Sequence, residues 1–135
     1  MQIYLLRPIL TAAIVVCLFC AGSGCRGKPV VGTVSGTISL KGKPVSTGEV
    51  LFLKRDKSDC AVGSLGADGK YSLLEPITTG EYYVGVYPQI PLRLEPGEVR
   101  KIMNEFPVPE KFATPEDSGL IFTVSEGSNE ANFEL

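Results

Sequence analysis

Tyr83 and Tyr87 stand either side of Gly85 in "GEYYVGVYP", on the face of the run opposite Tyr82, Val84 and Val86. Two aromatic rings separated by a glycine gap could stack on a sugar ring. The competing role is a pair of tyrosines covered by another part of the chain. Asp56, Asp59 and Asp68 could offer Ca²⁺ the several oxygens it prefers, but their spacing matches no calcium loop, and solvated turn carboxylates are the alternative. Cys60 is either a thiol or a small apolar core residue. The chain holds no histidine. It therefore lacks the usual general base near neutral pH, the commonest metal ligand and the standard partner of a catalytic serine. One cysteine without histidine builds no zinc site. The expectation is no catalysis, no metal and no cofactor. A carboxylate-based hydrolase is the remaining enzymatic alternative, and it needs two acids about 5–10 Å apart across a cleft.

Charge narrows the partners further. Thirteen Lys/Arg against fifteen Asp/Glu give a net charge of −2, scattered along the chain with no basic stripe to follow phosphates. Nucleic acid is not an expected partner.

The other cysteines gather at the start. Arg7 precedes "PILTAAIVVCLFCAG" (Pro8 to Gly22), which is uncharged and has Thr11 as its one polar side chain. A short basic region, an apolar run and then small residues form the pattern of a secretory signal, and the run is short for a membrane span. Gly22, Ser23, Gly24 and Cys25 resemble a bacterial lipoprotein box, with Gly22 where leucine is customary. That resemblance implies a signal over residues 1–24, loss of Cys17 and Cys20, and an acylated Cys25 as first residue. Residues 25–32 would then be a tether to the membrane, and the protein an exported, membrane-anchored lipoprotein of the bacterial cell envelope. Two alternatives stay open. An uncleaved anchor would have to accommodate Arg7. Ordinary cleavage near Ser23 would leave Cys25 and Cys60 able to pair.

The chain that must position these residues alternates with period two. In "TVSGTISL" (Thr33 to Leu40), Val34, Ile38 and Leu40 share one face and Thr33, Ser35, Thr37 and Ser39 the other, the pattern of a half-buried strand. Glu49 to Lys54 is apolar on both faces, because Leu51 and Leu53 oppose Val50 and Phe52; something must cover it. Asp68-Gly69 between Leu65 and Tyr71 predicts a hairpin with a type I′ turn. Further strands are expected in "TGEYYVGVYP" (Thr79 to Pro88), over Leu120–Val124 and over Glu130–Leu135. Seven short strands with no long helical period predict an all-β, Greek-key β-sandwich over residues 33–135.

Six of ten prolines fall in Pro88 to Ser118. A stretch that long without strands is a covering segment or a binding loop. Ile102, Met103, Phe106 and Phe112 favour a cover, and "VRKIMNEF" predicts a turn of helix.

Taken in order, "VSGTISLKGKPVSTGEVLF", "GADGKYSL" and "GEYYVGV" resemble the carboxypeptidase regulatory-like family of transthyretin-like sandwich domains. "VPEKFATPEDSGLIFTV" and "NFEL" also look like small bacterial lipoproteins carrying one such domain. The resemblance covers about Val31 to Leu135 and implies architecture more than activity: a binding, accessory or spacer module with no family-wide catalytic residues. A related enzyme of the same fold, which hydrolyses 5-hydroxyisourate, relies on histidines that this chain lacks. The expected role is binding or structural, toward a protein or glycan partner, with a secreted or periplasmic carbohydrate-binding module as the alternative.

Overall fold

The computed structural model describes residues 27–135, so the expected signal segment and Cys25 lie outside the described residues. Among the described residues, ten strand segments form two stacked sheets. β1 (Val31–Leu40) begins two residues before the expected Thr33 and is the centre of the first sheet. Its alternation is the predicted one, with Val34 and Ile38 buried and Thr33 and Ser35 exposed. Along one edge it pairs antiparallel with three short pieces, β2 (Lys43–Pro44), β5 (Lys70–Ser72) and β6 (Ile77–Thr78). Along the other it pairs parallel with β9 (Gly127–Glu130) and β10 (Phe133–Glu134). The second sheet is antiparallel throughout, in the order β4 (Cys60–Ser64), β3 (Glu49–Lys54), β7 (Gly80–Tyr87), β8 (Leu120–Val124).

The inward faces meet around Phe52, which is fully buried. Its ring lies 6.2–6.5 Å from those of Tyr71, Tyr82, Phe122 and Phe133, in tilted or edge-on contacts. Tyr71 and Phe133 belong to the first sheet and the other three rings to the second, so this cluster joins the layers. Aromatic pairs of this geometry add about 0.5–1.5 kcal/mol each beyond their buried area.

A seam in the first sheet depends on one glycine. A Cβ on Gly36 would lie 1.8 Å from the carbonyl oxygen of Ala131. Glycine lets that carbonyl turn inward, where it accepts a 2.7 Å hydrogen bond from the buried Tyr71 hydroxyl. The ladder loses a rung there, and the Asn132 side chain replaces it by accepting from the Thr37 amide at 2.9 Å.

The turn before β5 differs from expectation. Gly69 has φ 76°, but Asp68 is not in the left-handed region, so the type I′ geometry is not formed. A Gly66–Gly69 turn closes instead through Gly69 N–H to Gly66 O, 2.9 Å, and carries the chain from the second sheet to the first. Asp68 accepts from the Lys70 amide and caps that turn.

Candidate functional site

The chain comes into the sandwich through Gly27 to Val30, all solvent-exposed, and Val30 O accepts from Thr79 N–H at 3.0 Å. This defines an entrance end, built from the start of β1, the β3–β4 hairpin, the turn between β6 and β7, and the β8–β9 turn. Cys25, the expected lipid attachment, lies outside the described residues. Cys60 is exposed at the same end, which removes the reading of it as a small core residue. Its pairing with Cys25 involves a residue outside the described part.

Asp59 organises the entrance end. Its Oδ2 accepts from the Thr78 amide at 2.8 Å and the Thr78 hydroxyl at 2.9 Å, with the Tyr82 hydroxyl 3.0 Å away. Lys54 Nζ donates to Thr78 Oγ1 at 3.0 Å. Partial burial pushes the Asp59 carboxyl up, but the Thr78 and Tyr82 hydrogen bonds outweigh it and hold the group below the usual carboxylate range. Burial drives the Tyr82 phenol up to about 12. This network pins the β3–β4 hairpin to the start of β7.

The three aspartates considered for Ca²⁺ do not converge. Asp56 is occupied by its own turn, accepting from the Ser58 amide at 2.9 Å and the Ser58 hydroxyl at 2.5 Å. Asp68 sits beside Gly69, whose carbonyl bonds Ile38 N–H, whereas Asp59 sits beside Thr78, paired with Val31. Seven residues of β1 separate the two places, roughly 20 Å. Among the described residues, no three His, Cys, Asp or Glu side chains are grouped to hold an ion.

Tyr83 and Tyr87 lie on the outer face of the second sheet and are both half-buried. The gap between them is filled. Pro115 is buried over Gly85, where a Cβ would meet its ring at 3.0 Å. Arg55 lies 5.9 Å over the Tyr83 ring and pairs with Glu81. Burial, with Glu49 beside it, pushes the Tyr87 phenol up to about 12.

Pro115 belongs to the proline-rich segment, whose second half covers the outer face beside Leu51, the residue paired with Gly85. Phe106 packs under Gly48, Val108 and Phe112 are buried, and a 3₁₀ turn spans Glu110–Phe112. Ser118 Oγ, 2.5 Å from Val84 O, ties the segment down before β8. The first half behaves differently. The helix α1 (Glu98–Glu105) is longer than the single turn expected and buries none of its residues. Ile102 and Met103 are half-buried on it, and Leu92 is fully exposed before it.

No known protein-family model matches this chain. No curated protein matches it either. Among solved structures, it is similar to a DUF3823 family protein from Parabacteroides merdae, at 16% identity and a TM-score of 0.43. That match covers 79% of this chain and 46% of the other, so the chain spans less than half the length of the solved protein.

One feature of the surface escaped the sequence. An open groove of about 490 Å³ runs over the first sheet, lined by Ser35, Thr37, Lys70, Ser128, Glu130 and Asn132 among others. The polar alternation of β1 signals its floor. Its wall, β9, carries no alternation that would announce a strand. Inside the groove Asn132 donates to Glu130 at 2.9 Å and accepts from Thr37. Among the described residues, every buried side-chain nitrogen and oxygen has a hydrogen-bond partner.

Proposed function

We propose that the protein is a non-catalytic lipoprotein of the bacterial cell envelope, held to the membrane through acylated Cys25. It presents one Greek-key sandwich of the carboxypeptidase regulatory-like, transthyretin-like type for binding or structural roles. The observation that carries this reading is the exposed entrance, Gly27 to Val30, which leads from the lipoprotein-like box straight into the central strand β1. From Cys25 to Val30 an extended chain reaches roughly 20 Å, so the entrance end would face the bilayer. The Pro88–Glu105 excursion, which follows β7 at its other end, would face away from it. Several acyl chains, at about 0.8 kcal/mol per buried methylene, supply stable anchoring without a membrane-spanning helix.

The non-catalytic part of the reading rests on the absence of histidine and on the local occupation of Asp56, Asp59 and Asp68. A protein or glycan is the envelope partner. Cell fractionation tests the proposal. The wild-type protein is expected in the membrane fraction and the Cys25→Ser variant in the soluble one; equal partition of the two overturns the anchor.

A further inference from the structure

The outer face of the first sheet is hollowed where its ladder is broken. β9 and β10 both pair with β1, but they are separated at Ala131 and Asn132, where the Ala131 carbonyl turns inward to the Tyr71 hydroxyl. Gly36 leaves room for that carbonyl, since a Cβ would lie 1.8 Å from it. The groove of about 490 Å³ lies over this interruption, with Gly36 and Tyr71 in its lining. Small-molecule sites span about 300–1,000 Å³, so the space suits a ligand of a few rings.

The polar groups around the groove are held in place. Asn132 Oδ1 accepts from the Thr37 amide at 2.9 Å and the Thr37 hydroxyl at 3.0 Å, while Asn132 Nδ2 donates to Glu130 Oε1 at 2.9 Å. One asparagine therefore orients a hydroxyl and a carboxylate together. Glu130 stands opposite Ser35 on one side of β1, and Lys70 opposite Thr37 on the other, about 10 Å apart across the sheet. Lys70 Nζ is 3.9 Å from Asp68, beyond hydrogen-bond distance. Ser35 and Ser128 are exposed beside them.

This set offers donors from Lys70, acceptors from Glu130, and hydroxyls that serve as either. An anion would meet Glu130, and a cation Lys70. Exposed aromatic anchors, which dominate protein–protein interfaces, are missing from the lining; its one aromatic residue, Tyr71, is buried with its hydroxyl committed to Ala131. β1 is already paired along both sides, so a peptide cannot add to it as a strand. A sugar hydroxyl both donates and accepts, and so matches a surface that presents both at balanced charge.

We propose that this groove binds a neutral glycan segment, its hydroxyls bridging Lys70, Ser35 and Glu130. Resting on the envelope reading above, this narrows the partner from a protein or glycan to a glycan. It also places the sugar on the first sheet, away from Tyr83 and Tyr87, whose gap Pro115 fills.

The test is an NMR titration of the full-length, isotope-labelled protein in micelles of a sugar-free detergent, using maltotriose, cellotriose and tri-N-acetylchitotriose. At least one is expected to shift the amides of Ser35, Thr37, Lys70 and Glu130 saturably. Lys70→Met and Glu130→Gln are each expected to raise its Kd about tenfold, and Tyr83→Ala to leave it unchanged. The amide spectra show whether each variant is folded; should either groove variant unfold, Ser35→Ala asks the same question. No shift with any of the three sugars at their solubility limits overturns the proposal. Shifts confined to the tyrosine face do so too, as does a Kd that the folded groove variants leave intact. Equally tight binding of trigalacturonate, whose carboxylates would meet Glu130, overturns the preference for a neutral sugar. The titration is independent of the anchor: a protein without acyl groups that binds sugar here loses the anchor and keeps the groove.

Discussion

At the scale of single residues, stability is concentrated where a polar group is buried or half-buried and fully partnered. Asp59 is one such place. Asp59→Asn removes the charged acceptor shared by Thr78 and Tyr82, and a loss of about 1–3 kcal/mol in urea unfolding is expected. The sign with pH follows from its lowered pKa. The stabilisation is present above the unfolded value of about 3.9 and disappears as pH falls through the lower folded value. The variant should therefore show a flatter decline of stability below about pH 4 than the wild type; identical acid profiles would contradict the assignment. The Gly36–Ala131–Tyr71 seam is the second place. Tyr71→Phe leaves the Ala131 carbonyl without its donor, for an expected cost of about 1–3 kcal/mol. Gly36→Ala forces a carbonyl away from a 1.8 Å clash and is expected to cost about 3 kcal/mol or more. Equal, near-zero effects in chemical denaturation would show that the seam opens freely.

At the scale of elements, what could be read in the sequence was what hydrophobic alternation encodes. Strands β1, β3, β7 and β8 occupy their expected places because Val34 and Ile38, Val50 and Phe52, Tyr82 to Val86, and Phe122 and Val124 mark inward faces at period two. β9 was not legible. Gly-Ser-Asn-Glu has no apolar rhythm; its backbone pairs with β1, while the Asn129 side chain holds the β8–β9 turn through Ser125. The tyrosine face was half legible. The exposed-side pair was visible, but not Pro115 thirty residues later in the gap, because contacts across such a separation leave no local signature. The proline-rich segment divides for the same reason into a packed half and a loose half. That division predicts trypsin cleavage after Arg93, Arg100 or Lys101 well before cleavage after Lys111, whose neighbour Phe112 is buried. First cleavage at Lys111 would show that the cover is the loose part.

At the scale of the whole molecule, the sandwich has a direction. Its chain enters at one end beside the Asp59 network and sends its loose excursion, with Ile90, Leu92 and Val99 exposed, from β7 at the other. An anchor at the entrance would give that asymmetry a meaning, with one end toward lipid and the other toward partners. That meaning depends on the anchor, and the intact mass of the protein purified from its native membrane decides whether it is there. The expected mass is that of residues 25–135 plus acyl groups, with the acylated species lost in Cys25→Ser. An unacylated mass, beginning at Gly24 or nearby, would contradict it and make this a soluble exported module.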